Sequence, residues 1–171
     1  MNQHLERLDQ LAPCMQDKVR QWISECQLEL GGPLLLVHSY RSAAHQMLIW
    51  QKGRTFDREA GAWLVSSPKD VVTQAKPGQS AHNVVDSEGR PAAMAVDVIP
   101  LDPRGIALWS YNNWTPIYEV AKRHGLDPYG DPEGAYLPSD QGHVEYPNWK
   151  ACLESLGLRL PRMEQPSTSQ V

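Results

Sequence analysis

The sequence predicts a single α+β domain, in which a small, mainly antiparallel sheet has helices on one side and around its edge. Three observations predict it. The length of 171 residues suits one domain of ordinary size. Apolar residues recur with a helical period early in the chain, whereas residues 93–99 alternate with the period of a strand. Turn-forming Gly, Pro and Asp residues separate these segments, so helices and strands are expected to share one core.

The first half of the chain is predicted to contain one strand among helices. Residues 13–30 place apolar side chains on one helical face and end before a Gly-Gly pair, which predicts an amphipathic helix. The short apolar run 34–37 predicts a buried strand, and a helix over 42–51 is expected to follow it. We expect further helices over 57–64 and 68–76.

A change of period marks the second half. Residues 81–85 and 92–99 flank the turn-forming residues 86–89, a pattern that predicts an antiparallel hairpin. A further helix is expected to begin at Trp114, which precedes a Thr-Pro pair, and to end near Gly125.

The C-terminal part is predicted to hold a loop, a short strand and one more helix. The Pro-, Gly- and Asp-rich residues 126–142 predict the loop, residues 143–145 the strand, and residues 149–156 the helix. We expect residues 1–160 to form the domain. The polar, Pro- and Ser-rich residues 161–171 are expected to be a disordered tail.

Composition and charge exclude several classes of protein. Hydrophobic residues make up 41% of the chain and the mean hydropathy is -0.49, as is typical of a globular protein in water. With 16 basic against 20 acidic side chains the net charge is -4, and no basic block could follow a phosphate backbone. Nucleic acid is therefore not an expected partner.

The sequence also predicts where the chain is made. Its first residues lack the apolar run of a secretory signal, and no segment is apolar enough to span a membrane. We therefore expect a monomer made in the cytoplasm and not inserted into a membrane. Its three cysteines, Cys14, Cys26 and Cys152, are an odd number without a C-x-x-C pair and are expected to be reduced, buried thiols.

Asp97 is an unusual residue for its position. It shares a strand face with Ala95 and Ile99, where an unpaired carboxylate costs several kcal/mol unless a cation or hydrogen bonds compensate it. A nearby Arg or a metal ion would serve. His82, on the partner strand of the predicted hairpin, is the natural second ligand; the alternative is a turn-associated His beside a salt-bridged Asp.

His143 strengthens the case for a metal. Alternation places His143 and Glu145 on one face of their short strand. Two imidazoles and one carboxylate that leave an open position form the pattern of a catalytic zinc site. Asp140 lies three residues before His143, where it could reach a water molecule without being a ligand; the alternative for Asp140 is a loop-capping carboxylate.

At this point the sequence resembles a family. The segments Ser80-Ala81-His82-Asn83, Ala95-Val96-Asp97 and Asp140-x-x-His143-Val144-Glu145 resemble the S-x-H-N…A-x-D…D-x-x-H-x-E signature of VanY-like zinc peptidases. That family includes phage L-alanyl-D-glutamate endopeptidases and bacterial D-alanyl-D-alanine carboxypeptidases. Upstream, Ser39-Tyr40-Arg41-Ser42 and Gln46 are similar to its S-x-Y-R-S/T…Q segment. The resemblance implies a Hedgehog/DD-peptidase-like fold.

The resemblance also implies roles for individual residues. It implies one zinc ion per chain, bound by His82, Asp97 and His143, with Asp140 as the general base. Fourteen residues separate His82 from Asp97, whereas the family usually has about six, a difference that a longer turn can absorb. Asp86, which lies in that turn, is therefore an alternative ligand to Asp97.

The remaining implied roles concern the substrate. Arg41 would be catalytic, stabilising the developing oxyanion or holding a substrate carboxylate, unless it forms a structural ion pair. Gln46 and Ser80 would contact the substrate, and Glu145 would support a ligand from behind. His38 and His45 are interpreted as packed or surface residues.

These roles together imply a bacteriolytic, cell-wall-degrading enzyme. We expect a zinc metallopeptidase of the phage endolysin type, acting on the host cell wall, that hydrolyses the L-Ala–D-Glu bond of peptidoglycan stem peptides. No basic residue besides Arg41 belongs to the motif segments, and this absence favours a cleft open at both ends over a carboxypeptidase site. The alternatives are a D,D-carboxypeptidase or dipeptidase of the same family, and a non-catalytic zinc-binding domain that retains the fold.

Overall fold

The computed structural model describes residues 7–128 and 141–161. Its helices are α1 (Pro13–Leu30), α2 (Ala43–Trp50), α3 (Thr115–Arg123) and α4 (Trp149–Cys152). Its strands are β1 (Leu34–His38), β2 (Arg54–Asp57), β3 (Ala62–Val65), β4 (Val85–Asp86), β5 (Ala95–Pro100), β6 (His143–Glu145) and β7 (Leu158–Arg159). Short 3-10 turns lie at Pro68–Asp70 and Ala81–Asn83.

A three-stranded antiparallel sheet in the order β1-β5-β6 forms the centre of the domain. The strand β5 lies in the middle, and its Asp97 faces His38 on β1 and His143 on β6 in the register of the sheet. The register shifts between Leu36 and His38 on β1. This small sheet with surrounding helices confirms the predicted α+β fold class.

The core packs α1 and α3 together beside this sheet. The indole nitrogen of Trp22 on α1 donates a hydrogen bond of 3.0 Å to the carbonyl of Ile117 on α3, so the largest buried side chain of α1 is also satisfied as a donor. Every residue of β5 except Asp97 is buried. Asp97 is thus a polar residue held in an apolar strand, as its sequence context predicts.

Two of the helices predicted from sequence are wrong. Residues 57–64 belong to the β2–β3 hairpin, in which Phe56 pairs with Trp63 across the strands. The carboxylate of Asp57 accepts hydrogen bonds from the backbone amides of residues 59 and 60, and Gly61 takes a φ of 61°, so a tight turn replaces the helix. Residues 68–76 contain only the turn Pro68–Asp70.

The predicted hairpin of residues 81–85 and 92–99 is also wrong in its pairing. The structure does contain the predicted tight turn. The amide of Asp86 donates to the carbonyl of Arg90, and the amide of Ala92 donates to the carbonyl of Val84. However, β4 pairs with β7, and β5 pairs with β1 and β6. Residues 81–83 form a 3-10 turn because the Ser80 hydroxyl accepts from the amide of His82 and closes a capping box.

The other elements follow the prediction more closely. The strand at 34–37, the helix over 42–51, the helix after Trp114 and the strand 143–145 are confirmed, whereas the last helix ends at Cys152 instead of residue 156. Most of the predicted loop 126–142 and nearly all of the tail 161–171 lie outside the described residues. No helix in the described ranges has the length and apolar character that a bilayer span requires.

The cysteines are free, as expected, although only one of them is buried. Cys26 is buried on α1, whereas Cys14 and Cys152 are half-buried. Burial, together with the nearby Glu25 and Glu29, raises the pKa of the Cys26 thiol to about 12. A thiol of this kind is an inert core residue.

Candidate metal centre

Three separate elements bring the predicted ligands to one point. His82 lies in the 3-10 turn Ala81–Asn83, which the Ser80 cap fixes, and the carbonyl of His82 accepts a hydrogen bond of 2.9 Å from the amide of Arg41. Asp97 and His143 are directly paired residues of neighbouring strands. A short cross-strand distance therefore follows from the register alone.

The ligand atoms form a nearly equilateral triangle. Asp97 Oδ1 lies 3.2 Å from His82 Nε2 and 3.0 Å from His143 Nδ1, and the two nitrogens lie 3.3 Å apart. Ligands at about 2.0–2.1 Å from a tetrahedral metal lie about 3.3 Å from one another. The triangle therefore fits one small metal ion, and all three residues line the cleft described below.

Hydrogen bonds behind the ligands set the protonation of both rings. Nδ1 of His82 lies 2.6 Å from the carbonyl of Ser39, and because a carbonyl only accepts, Nδ1 carries the proton. Nε2 of His143 lies 3.3 Å from Glu145 Oε2 and is the donor for the same reason. Each ring therefore has its second nitrogen, Nε2 of His82 and Nδ1 of His143, turned toward Asp97, where it can bind a metal ion once it is unprotonated.

Asp97 is held on its other side as well. Its Oδ2 lies 3.2 Å from Nη2 of Arg41 and 3.5 Å from Nδ1 of His38. Burial would raise the pKa of this carboxyl, but the neighbouring His82 and hydrogen bonds from His143 and His38 outweigh it and hold the pKa well below its usual range. The carboxylate is therefore charged and oriented for a ligand role.

Arg41 and Gln46 form the layer behind Asp97. Arg41 lines the cleft and its Nη1 donates a hydrogen bond of 3.1 Å to Gln46 Oε1. The amide nitrogen of Gln46 donates to the carbonyl of Ala75 at 2.8 Å, and its side chain is fully buried. The structure thus places Gln46 behind Arg41 rather than in the cleft, because both ends of its amide are occupied there. A direct contact between Gln46 and the substrate stays a prediction that this arrangement does not favour.

The other predicted site residues take different places. Ser80 lines the cleft beside His82. Asp86 is not part of the cluster, because its carboxylate accepts a 2.7 Å hydrogen bond from Nε of Arg90 and caps its own turn. Asp86 is therefore wrong as an alternative to Asp97. Asp140, the predicted base, lies outside the described residues.

A cleft of about 590 Å³ opens over the three ligands. Its lining comes from α2, the residues near 72–75, the turn around His82, β6 and the start of α4. Four basic or titratable side chains that the sequence reasoning did not assign to the site also line it: His38, His45, Lys52 and Lys150. The sequence could have pointed to His38, because it directly follows the predicted strand 34–37. The two lysines come from segments that no motif marked.

Gly142 fixes the approach of β6 to β5. Its φ of 87° is in the left-handed region, and a Cβ there would meet the carbonyl of Val98, which lies one residue beyond Asp97. The backbone of Gly142 is also bonded, with its amide donating to the Tyr118 hydroxyl at 3.1 Å and its carbonyl accepting from the Val98 amide at 3.0 Å. Only glycine allows this approach, which puts His143 opposite Asp97.

Replacing Gly142 with alanine is therefore expected to destabilise the domain by about 3 kcal/mol, from backbone strain and the close approach together. Urea unfolding measures this change. Gly157→Ala is the matched control, because Gly157 also has a positive φ of 67° but a Cβ there meets nothing within 4 Å. The control is expected to cost only about 1 kcal/mol. Equal losses in the two variants would show that the Val98 contact does not matter.

Comparison with solved structures shows where this fold occurs. The L-Ala D-Glu endopeptidase ChiX of Serratia marcescens matches with a TM-score of 0.53 at 16% identity, over 86% of this chain and 89% of that chain. A VanY D,D-pentapeptidase mutant from a VanB-type vancomycin resistance cassette, in complex with Zn(II), matches with a TM-score of 0.52 at 16% identity, over 85% and 78%. VanYB in complex with D-alanine-D-alanine matches with a TM-score of 0.54 at 15% identity, over 85% and 76%.

These matches confirm that the chain has the VanY-like, DD-peptidase-like fold that the motifs predicted. The likeness lies in the structure, since no protein-family profile and no curated protein matches the sequence. At 15–16% identity it establishes the fold alone. Function has to be argued from the site.

Proposed function

We propose that the chain is a zinc metallopeptidase that hydrolyses peptide bonds in the stem peptides of peptidoglycan. The observation that carries this proposal is the triangle of His82, Asp97 and His143, with each ligand held from behind by a hydrogen bond or ion pair. Such a site, with three protein ligands and an open position, is typical of catalytic rather than structural zinc. A solved structure with this fold is a zinc complex, which supports the choice of metal.

The proposed chemistry divides among a few residues. Zinc in a site of this kind supplies a Lewis acid and lowers the pKa of a bound water. Asp140 is proposed to take the proton of the attacking water and to deliver it to the leaving amine. Arg41, which is bonded to Asp97 and lines the cleft, contributes positive charge where the oxyanion develops. Glu145 fixes the ring of His143.

The bond that we propose is L-Ala–D-Glu. The match with the endopeptidase ChiX covers 86% of this chain and 89% of ChiX, so little of either protein lies outside the common fold. Several separate segments of the chain line the cleft, and this gives a peptide that continues past the cleaved bond more than one surface to contact. Lysis of a bacterial host, as by a phage-type endolysin, would be a use of this same activity.

A D,D-carboxypeptidase is the second candidate, and a specific observation favours it. In the sequence, Arg41 is the one basic residue of the motif segments, and we therefore expected no binding site for a terminal carboxylate. The structure overturns that premise, because Lys52 and Lys150 both line the cleft. A cation for a terminal carboxylate is therefore present.

Digestion of purified peptidoglycan tests both candidates. We expect the zinc-loaded chain to create new C-terminal L-Ala and new N-terminal D-Glu, with little free D-Ala, and mass spectrometry of the muropeptides measures all three. Rapid release of D-Ala without new internal ends would assign the carboxypeptidase instead. If the chain binds zinc but no product forms at saturating zinc, the chain is a non-catalytic zinc-binding domain.

A further inference from the structure

Some charged side chains that line the cleft have no partner of opposite charge among the described residues. Asp97 and Glu145 are the acidic residues among those described in its lining, and both are engaged, Asp97 with Arg41 and histidines and Glu145 with His143. Arg41 is engaged in turn by Asp97 and Gln46. Lys52 and Lys150 remain, and within the described part of the chain neither has an anionic partner. The cleft thus offers positive charge that the protein itself does not neutralise.

Lys150 is the better placed of these two lysines. Its ammonium lies 5.4 Å from the ring centroid of Trp149, a buried side chain that also lines the cleft. A cation held over an indole is restrained without losing its charge, and its hydrogen-bond donors stay available to a ligand. Lys150 also follows closely after β6, the strand that carries His143 and Glu145. Lys52, which is exposed like Lys150, lies just beyond α2, and among the described residues it has no ring contact.

The proposed substrate places a carboxylate next to the reacting bond. In stem peptides D-Glu continues the chain through its γ-carboxyl, so its α-carboxylate stays free. That carboxylate is attached to the same Cα as the nitrogen of the L-Ala–D-Glu bond. A peptide bound with this bond over the ligand triangle needs a cation beside the metal centre. Arg41 is paired with Asp97 and Gln46, and its positive charge is the one proposed above to stabilise the oxyanion.

We propose that Lys150, restrained by Trp149, binds the α-carboxylate of the D-Glu residue and so selects peptides that carry this charge. The inference rests on the proposed function and deepens it, because it assigns substrate selection to a residue outside the motifs. An ammonium that pairs with a carboxylate in a partly enclosed cleft is worth about a tenfold change in affinity. Stem peptides with D-isoglutamine in place of D-Glu lack the charge and are expected to lose this contribution.

Binding of product peptides by the zinc-loaded full chain tests the inference without relying on turnover. The acid probe is γ-D-glutamyl-L-lysyl-D-alanine amide, whose one carboxylate is the α-carboxylate of D-Glu. The amide probe has D-isoglutamine at that position. Calorimetry is expected to give the Lys150→Met variant a Kd for the acid probe about tenfold above wild type. Its Kd for the amide probe is expected to match that of wild type.

Lys52→Met is the matched control, since it removes an equal charge from another side chain that lines the cleft. It is expected to change neither Kd by more than twofold. Circular dichroism and zinc content show whether each variant is folded and loaded. An unchanged Kd in Lys150→Met, an equal loss for both probes, or a larger loss in Lys52→Met would overturn the inference.

A third peptide separates failure of the inference from failure of the proposed function. N-acetyl-L-Ala-γ-D-Glu-L-Lys-D-Ala-D-Ala contains both the L-Ala–D-Glu bond and the terminal D-Ala–D-Ala bond. If wild type cleaves it between L-Ala and D-Glu while Lys150→Met binds the acid probe normally, the inference is wrong and the proposed function stands. If wild type releases only D-Ala from it, the α-carboxylate is not beside the reacting bond, and both the inference and the choice of the L-Ala–D-Glu bond are wrong.

Discussion

Replacing His143 with alanine is expected to abolish metal binding while leaving the domain folded. The variant lacks one of the three atoms that define the ligand triangle, and a site of two ligands holds zinc far more weakly. Folding should survive, because the buried Val144 anchors β6 opposite Val96 whether or not a metal is present. After dialysis, elemental analysis is expected to find one zinc per wild-type chain and almost none in the variant.

Thermal unfolding provides a second measure of the same loss. A metal that binds only the folded chain raises its Tm, so added zinc is expected to stabilise wild type but not His143→Ala. Asp86→Ala is the control, because Asp86 is tied to Arg90 and lies outside the cluster; its zinc content should equal that of wild type. Wild-type zinc in His143→Ala, or zinc loss in Asp86→Ala, would show that the metal centre is misplaced.

Periodic patterns in the sequence were sufficient for the strand that carries Asp97 and for α1 and β1, but not for the 3-10 turn that carries His82. The apolar face of residues 13–30, the run 34–37 and the alternation around Asp97 each predicted the element that the structure contains. These patterns are reliable because burial of one face is their cause. The unusual position of Asp97 in an apolar strand pointed to the ligand cluster for the same reason.

The hairpin of β2 and β3 shows where such patterns mislead. Residues 57–64 include Glu59 and Ala60, which favour helices, yet the segment folds back on residues 54–57 and pairs Phe56 with Trp63. Trp63 also contacts Trp50 on α2. Such contacts join parts of the chain that a local window does not compare, and tertiary packing overrides local propensity there.

The cleft was the least predictable part of the site. Its ligands come from motifs, but Lys52, just beyond α2, and Lys150, on α4, line it as well. No spacing along the chain relates either lysine to His82. That Asp86 is not a ligand could have been predicted more easily from the sequence. Arg90 follows four residues later and is a local partner for its carboxylate.

Replacing Asp140 with asparagine is expected to lower kcat by about 10²–10⁴-fold with zinc content unchanged. Asparagine has nearly the size of aspartate and keeps most of its hydrogen bonding, but it cannot accept the proton of the attacking water. Because the three ligand atoms come from His82, Asp97 and His143, the metal should remain bound. Initial rates on the N-acetylated stem peptide at saturating zinc, together with elemental analysis, measure the two quantities separately.

Glu145→Gln distinguishes Asp140 from the other carboxylate near the metal centre. Glu145 bonds Nε2 of His143, so its loss should act on the metal by weakening zinc affinity about 10–100-fold. Saturating zinc is therefore expected to restore the kcat of Glu145→Gln but not that of Asp140→Asn. The opposite pattern, with a near-normal kcat in Asp140→Asn and a deficit in Glu145→Gln that zinc does not correct, would make Glu145 the general base. The assignment of the general base thus depends on which variant, Glu145→Gln or Asp140→Asn, regains its kcat at saturating zinc.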